Sequence, residues 1–148
     1  MSRATVIPLE FWKDPQGDII LIFSERECSI YFNCWSASGE PAEFIGHLSF
    51  QHASAVWSFN REFLPYNVPK HEHRSYILTI SDSDFIREHF AYREKHYPGS
   101  RVDAHNRVHY VLVGPDIYHE ILAANFTSSK ISKKDVTDTR LRRLITDA

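Results

Sequence analysis

Alternation of apolar and polar positions dominates the chain between residues 18 and 81. From Cys28 to Ser36, Cys28, Ile30, Phe32 and Cys34 fall on one face of an extended strand, and Ser29, Tyr31, Asn33 and Trp35 fall on the other. The first face is the core candidate. Phe44 to Gln51 alternates in the same way, with Phe44, Leu48 and Phe50 opposite His47, Ser49 and Gln51. The unbroken run Ile19, Ile20, Leu21, Ile22, Phe23, within Asp18 to Ser24, predicts a strand covered on both faces. Glu25, Arg26 and Glu27 form its hairpin connection to the next strand. Upstream, Val6 to Trp12 contains Pro8, which has no amide to donate and suits a sheet edge or irregular arm, and Asp14 to Gly17 is a turn signal.

Residues 53–64 fit two periods. Ala53, Ala55, Trp57 and Phe59 suit a strand over 53–59, whereas Ala53, Val56, Trp57, Asn60, Phe63 and Leu64 suit a helix face. The strand is the preferred reading. A connector with two prolines spans Pro65 to His73, and Ser75 to Ser81 returns to a strand with Tyr76, Leu78 and Ile80 inward. Asp82, Ser83 and Asp84 offer N-cap oxygens and acidic charge to a helix start, which predicts a helix to about His96 with the stripe Phe85, Ile86, His89, Phe90 and Tyr97. Pro98 and Gly99 stop it. Arg107 to Val113 reads as a strand. Gly114 and Pro115 then predict a second helix over Asp116 to Asn125, burying Ile117, Tyr118, Ile121, Leu122 and Ala124. Leu141, Leu144 and Ile145 give a final short stripe among Arg140, Arg142 and Arg143.

The expected fold class is therefore α+β: a largely antiparallel β-sheet with two or three helices in the C-terminal half packed on one face. Residues 1–126 are expected as one domain. Residues 127–148 are expected as a basic C-terminal tail or short helix, because residues 126 to 148 carry six basic and three acidic side chains. The five glycines are scattered and form no phosphate-cradling loop.

Composition narrows function by exclusion. At 148 residues, with 43% hydrophobic and 24% charged side chains, the chain can bury a single substantial core. No run approaches the roughly 20 apolar residues that a membrane-crossing helix needs, and no basic-then-apolar leader opens the sequence. A net charge of −2 gives no general attraction to polyanions, so neither a membrane nor a nucleic acid is an expected partner. Cys28 and Cys34, six extended residues apart, are held roughly 20 Å from each other, too far to bridge. Free thiols point to the cytoplasm.

Three function classes remain. The leading expectation is a non-enzymatic protein-binding or self-associating module, a homodimer by default, without cofactor. Aromatic residues make up 14% of the chain, and Trp12, Tyr31, Trp35 and Tyr66 are its candidate interface residues. The second class is a metal-dependent hydrolase, in which zinc or another divalent transition metal is held by His71, His73, His105 and His109, since the i, i+2 pair and the equal-parity pair can each share one face of an extended chain. The third is a small-ligand pocket lined by Phe50, Trp57 and Tyr76. A thiol nucleophile built from Cys34 and His47 is outweighed by the core-facing parity of both cysteines. His119 and Glu120 are expected on the solvated side of the second helix.

Overall fold

The computed structural model describes residues 2–60, 63–99 and 106–146. Its strands in chain order are β1 (Arg3–Pro8), β2 (Trp12–Lys13), β3 (Ile19–Phe23), β4 (Cys28–Trp35), β5 (Pro41–Gln51), β6 (Ala55–Phe59), β7 (Tyr76–Ser81), β8 (Val108–Val113), β9 (Tyr118–Ala123) and β10 (Asn125–Ser132). They form two antiparallel sheets. The first has the order β1-β7-β8-β9-β6 and the second the order β10-β5-β4-β2, with β3 lying beside β2 along the same side of β4.

The inner faces of the two sheets supply the main core. Ile30, Phe32, Leu48 and Phe50 of the second sheet pack with Ile77, Tyr110, Leu112 and Ile121 of the first. This is the face that alternation selects in β4 and β5. At Gly46 a Cβ would stand 2.4 Å from the Phe32 ring and 2.8 Å from the Phe11 ring, so only glycine lets these aromatics close over β5.

Each sheet is also covered on its outer face. Leu64, Tyr66 and Val68 of the connector pack with Leu78, Ile80, Val111 and Tyr118 on the first sheet. Helix α1 (Asp84–His96) joins them by stacking Phe85 on Trp57 at 4.6 Å. Across the molecule, Leu141 and Leu144, which lie in a 3-10 turn and the short helix α2 (Arg142–Thr146), pack with Tyr31 and Ile45 on the second sheet.

The α+β expectation is overturned. The described residues are mostly antiparallel sheet, with one helix in mid-chain, one short helix at the C-terminal end, and these on opposite outer faces rather than packed together on one. The helix expected over Asp116 to Asn125 is β9. Gly114 and Pro115 belong to a tight connection in which the Gly114 amide donates to the Ile117 carbonyl at 2.7 Å, turning β8 directly into its antiparallel neighbour with Val113 opposite Tyr118. All six residues of β9 are buried, so its apolar positions do not alternate and imitate a helical stripe.

Two further expectations change for the same reason. Ile77 enters the main core while Leu78 and Ile80 are buried on the opposite face, because both sides of β7 are covered. The Ile19 to Phe23 run is half-buried at an edge, with Phe23 46% exposed, rather than covered on both faces. The strand expected over 53–59 is found at Ala55–Phe59, the helix ends at His96 as expected, and Ser83 is the N-cap, accepting from the Ile86 amide at 3.2 Å. Residues 127–132 belong to β10, which pairs with β5 from Asn125 to Ser132. Among the described residues no helix is long and apolar enough to cross a membrane.

Candidate functional site

The β8–β9 register places Val111 opposite Glu120 and His109 opposite Leu122, which makes His109 and Glu120 diagonal neighbours on the outer face of the first sheet. His109 Nε2 lies 2.9 Å from Glu120 Oε1, and each side chain is only 1% exposed. Two covering segments complete the arrangement. The Tyr66 hydroxyl donates to Glu120 Oε1 at 2.5 Å, and Ser83 Oγ lies 2.7 Å from His109 Nδ1. The Tyr66 and Phe85 rings meet the imidazole edge-on at 5.8 and 5.1 Å.

One proton arrangement serves all these contacts. Tyr66 and the Nε2–H of His109 donate to the Glu120 carboxylate, Ser83 donates to Nδ1, and the Ile86 amide donates to Ser83. Burial and the neighbouring Glu120 raise the Tyr66 phenol, which keeps it protonated as a donor. Serine, histidine and carboxylate in series have the composition of a nucleophile relay. Donation from Ser83 to His109 is the contact such a relay needs, but Ser83 is only 5% exposed and its oxygen also accepts the helix cap, so no substrate reaches it in this arrangement. A reacting carbonyl would have to displace the cap, so the series is better suited to fixing α1 and the connector onto the sheet.

On the other face of β9, His119 Nδ1 meets Ser58 Oγ at 2.7 Å. Burial pushes this imidazole down to about 4, so it is neutral near pH 7. A helical reading of this segment puts His119 and Glu120 in solvent; the structure buries both. The signal that could have found them is the hairpin, two short apolar runs joined through Gly114-Pro115-Asp116, whose pairing puts Glu120 beside His109.

The other candidate residues are dispersed. Trp12 and Trp35 meet across β2 and β4 with ring centres 5.3 Å apart, and the Arg74 guanidinium lies 4.5 Å from the Trp12 ring. Tyr31 is buried beneath the C-terminal helix and stacks on His47 at 4.4 Å, while Tyr66 is part of the seam over the first sheet. His71 and His73 stack at 5.8 Å, and the His73 amide donates to His71 Nδ1. Their proposed co-ligand His109 has both nitrogens engaged elsewhere, and His105 lies outside the described residues. Among the described residues no group of three or more His, Cys, Asp or Glu is placed to hold a metal ion.

Phe50, Trp57 and Tyr76 do not line a common cavity. They sit respectively in the main core, against Phe85, and against His71. Cys28 and Cys34 are buried, unbridged thiols, pushed up to about 11 and about 12 by burial. Cys34 is on the inner face of the second sheet, while His47 stacks with Tyr31 and bonds Ser29 on the outer face, so His47 does not activate the thiol.

The sheet edges differ in character. β1 carries Arg3 and Pro8; β10 carries Lys130 among serines and threonine. On β6, which like β3 has neither charge nor proline, Trp57 is stacked beneath Phe85 on one face. β3 has neither charge nor proline, and among the described residues no strand pairs along its outer side. Charges blunt an edge against pairing, and an apolar, uncharged edge lacks that protection. Beside it, a cleft of about 590 Å³ is lined by Asp14, Asp18, Asn33, Trp35, Lys133 and Arg143. Comparison with protein families, with curated proteins and with solved structures gives no match to the chain.

Proposed function

We propose that the protein is a non-enzymatic binding module that engages another polypeptide along the β2–β3 edge of its second sheet. The observation that carries this reading is the edge itself: Ile19 to Phe23 is an uncharged apolar strand, half-buried and open on its outer side among the described residues, with the Trp12–Trp35 pair next to it. An extended segment laid beside such a strand gains main-chain hydrogen bonds, and the aromatic pair adds contact area at little rotamer cost. Burial of Ser83 beneath the helix cap and of both thiols, which burial raises, keeps these candidate nucleophiles from a substrate and supports binding over catalysis. Buried unbridged thiols suit a reducing compartment, which supports a cytoplasmic setting.

The test is site-specific photo-crosslinking in cells. A photoreactive residue at Phe23 or Trp35 is expected to trap a discrete adduct, and one at Ser129 on the polar β10 edge is expected not to. Absence of any adduct from Phe23 and Trp35, or equal trapping from Ser129, would overturn the reading.

A further inference from the structure

The edge strand is complementary to itself, and from this, resting on the binding role given above, we infer that the polypeptide it takes is a second copy of the same chain, joined β3 to β3 in antiparallel fashion about a two-fold axis at Leu21. In that register Leu21 faces Leu21 of the other copy, Ile19 faces Phe23, and Ile20 faces Ile22. Every facing pair is apolar, so no like charges oppose one another across the ladder.

Parity supports the same register. Ile19 and Leu21 pack with the main core, whereas Ile20 and Ile22 pack with the C-terminal strap residues. Pairing odd positions with odd and even with even therefore continues both faces of the second sheet across the axis, as a one-residue slip would not. The exposed Phe23 ring, the largest apolar group on the strand, would be covered by Ile19 of the other copy.

The strand ends set no like charges against one another. At the N-terminal end, Arg143 pairs with Asp18 at 2.6 Å and remains largely exposed. At the C-terminal end stand Ser24 and the exposed Glu25. The two-fold axis sets Asp18 opposite Ser24 and Gly17 opposite Glu25, so no two carboxylates face each other at the ends of the ladder. The closed symmetry uses the edge once on each chain and leaves no further copy of it free, so association stops at two. Five residues make a short ladder, so the dimer dissociates on dilution.

Light scattering across a dilution series, together with amide hydrogen exchange over residues 19–23 at the two ends of that series, tests the inference. A dimer at high concentration, with β3 amides protected only there, is the expected result. Phe23→Lys, at a half-exposed position, is expected to weaken dimerisation by about tenfold or more without lowering the melting temperature of the dilute monomer. A protein that stays monomeric throughout overturns self-pairing, and photo-adducts to a different protein from Phe23 would then leave the binding role intact. A dimer with no added protection in β3 also overturns the inference. Should Phe23→Lys fail to fold, hydrogen exchange of the unaltered chain decides alone.

Discussion

The two outer faces of the sandwich are covered by different chemistry. Over the first sheet, the connector and α1 are fixed by directional polar contacts: Tyr66 to Glu120, Glu120 to His109, and His109 to Ser83. Over the second sheet, the C-terminal strap is seated by Leu141 and Leu144 on Tyr31 and Ile45, an apolar contact with its ion pairs at the margin. Polar covers fix a register but fail abruptly, since each lost partner leaves a buried group unsatisfied. Apolar covers weaken in proportion to the area removed, because dispersion and hydration act without direction.

The largest contrast is expected from Glu120→Ala. Removing the carboxylate strands two neutral donors, His109 Nε2–H and the Tyr66 hydroxyl, and should cost about 1–3 kcal/mol for each in denaturant unfolding. Glu120→Gln, which retains an acceptor oxygen, should recover part of that loss. A loss below that of an ordinary surface substitution would show that the seam contributes no stability.

Next comes a pH effect carried by His119 of the first sheet. His119 is held at about 4 in the fold, against about 6.5 when the chain is unfolded. Between these values the unfolded chain binds a proton that the folded chain refuses. Stability contributed by the neutral, buried imidazole is therefore complete above pH 6.5, is lost as pH falls toward 4, and levels off below it, for a total of roughly 3 kcal/mol. Unfolding curves collected between pH 7 and 4 check this, with His119→Gln expected to flatten the slope.

The smallest of the three is Leu144→Ala on the other face, with an expected cost of about 2 kcal/mol, the low end for a buried leucine, because a terminal strap can settle into the space. Its melting temperature should show no added pH dependence. If Leu144→Ala proved costlier than Glu120→Ala, the apolar strap rather than the polar seam would be the more cooperative cover.

Legibility along the chain follows the chemistry of each strand's outer face. β4 and β5 are covered on both faces, but their outer positions include Ser29, Asn33, His47 and Ser49, so alternation survives and names Ile30, Phe32, Leu48 and Phe50 correctly. The start of α1 is equally local: the Ser83 side chain caps the helix within three residues of itself. β7 and β9 are different, because apolar side chains occupy both of their buried faces. There, alternation disappears, and His119 and Glu120 look like the solvated residues of a helix when they are the buried polar residues of a central strand. The site is thus hidden for the same reason as the strand. His109, Glu120, Tyr66 and Ser83 come from four separate segments, and only the hairpin pair is close in sequence.

Local chemistry fixed by neighbouring residues is readable from the sequence alone: the helix cap, the alternating strands, and two thiols too far apart to join. Tertiary structure decided the rest, namely that a second sheet lies against the first, that both outer faces carry covers, and that His109 meets Glu120 out of water. The reason is physical. Backbone propensity and side-chain parity depend on residues a few positions away, whereas burial of both faces of a strand depends on which distant segments come to lie above and below it.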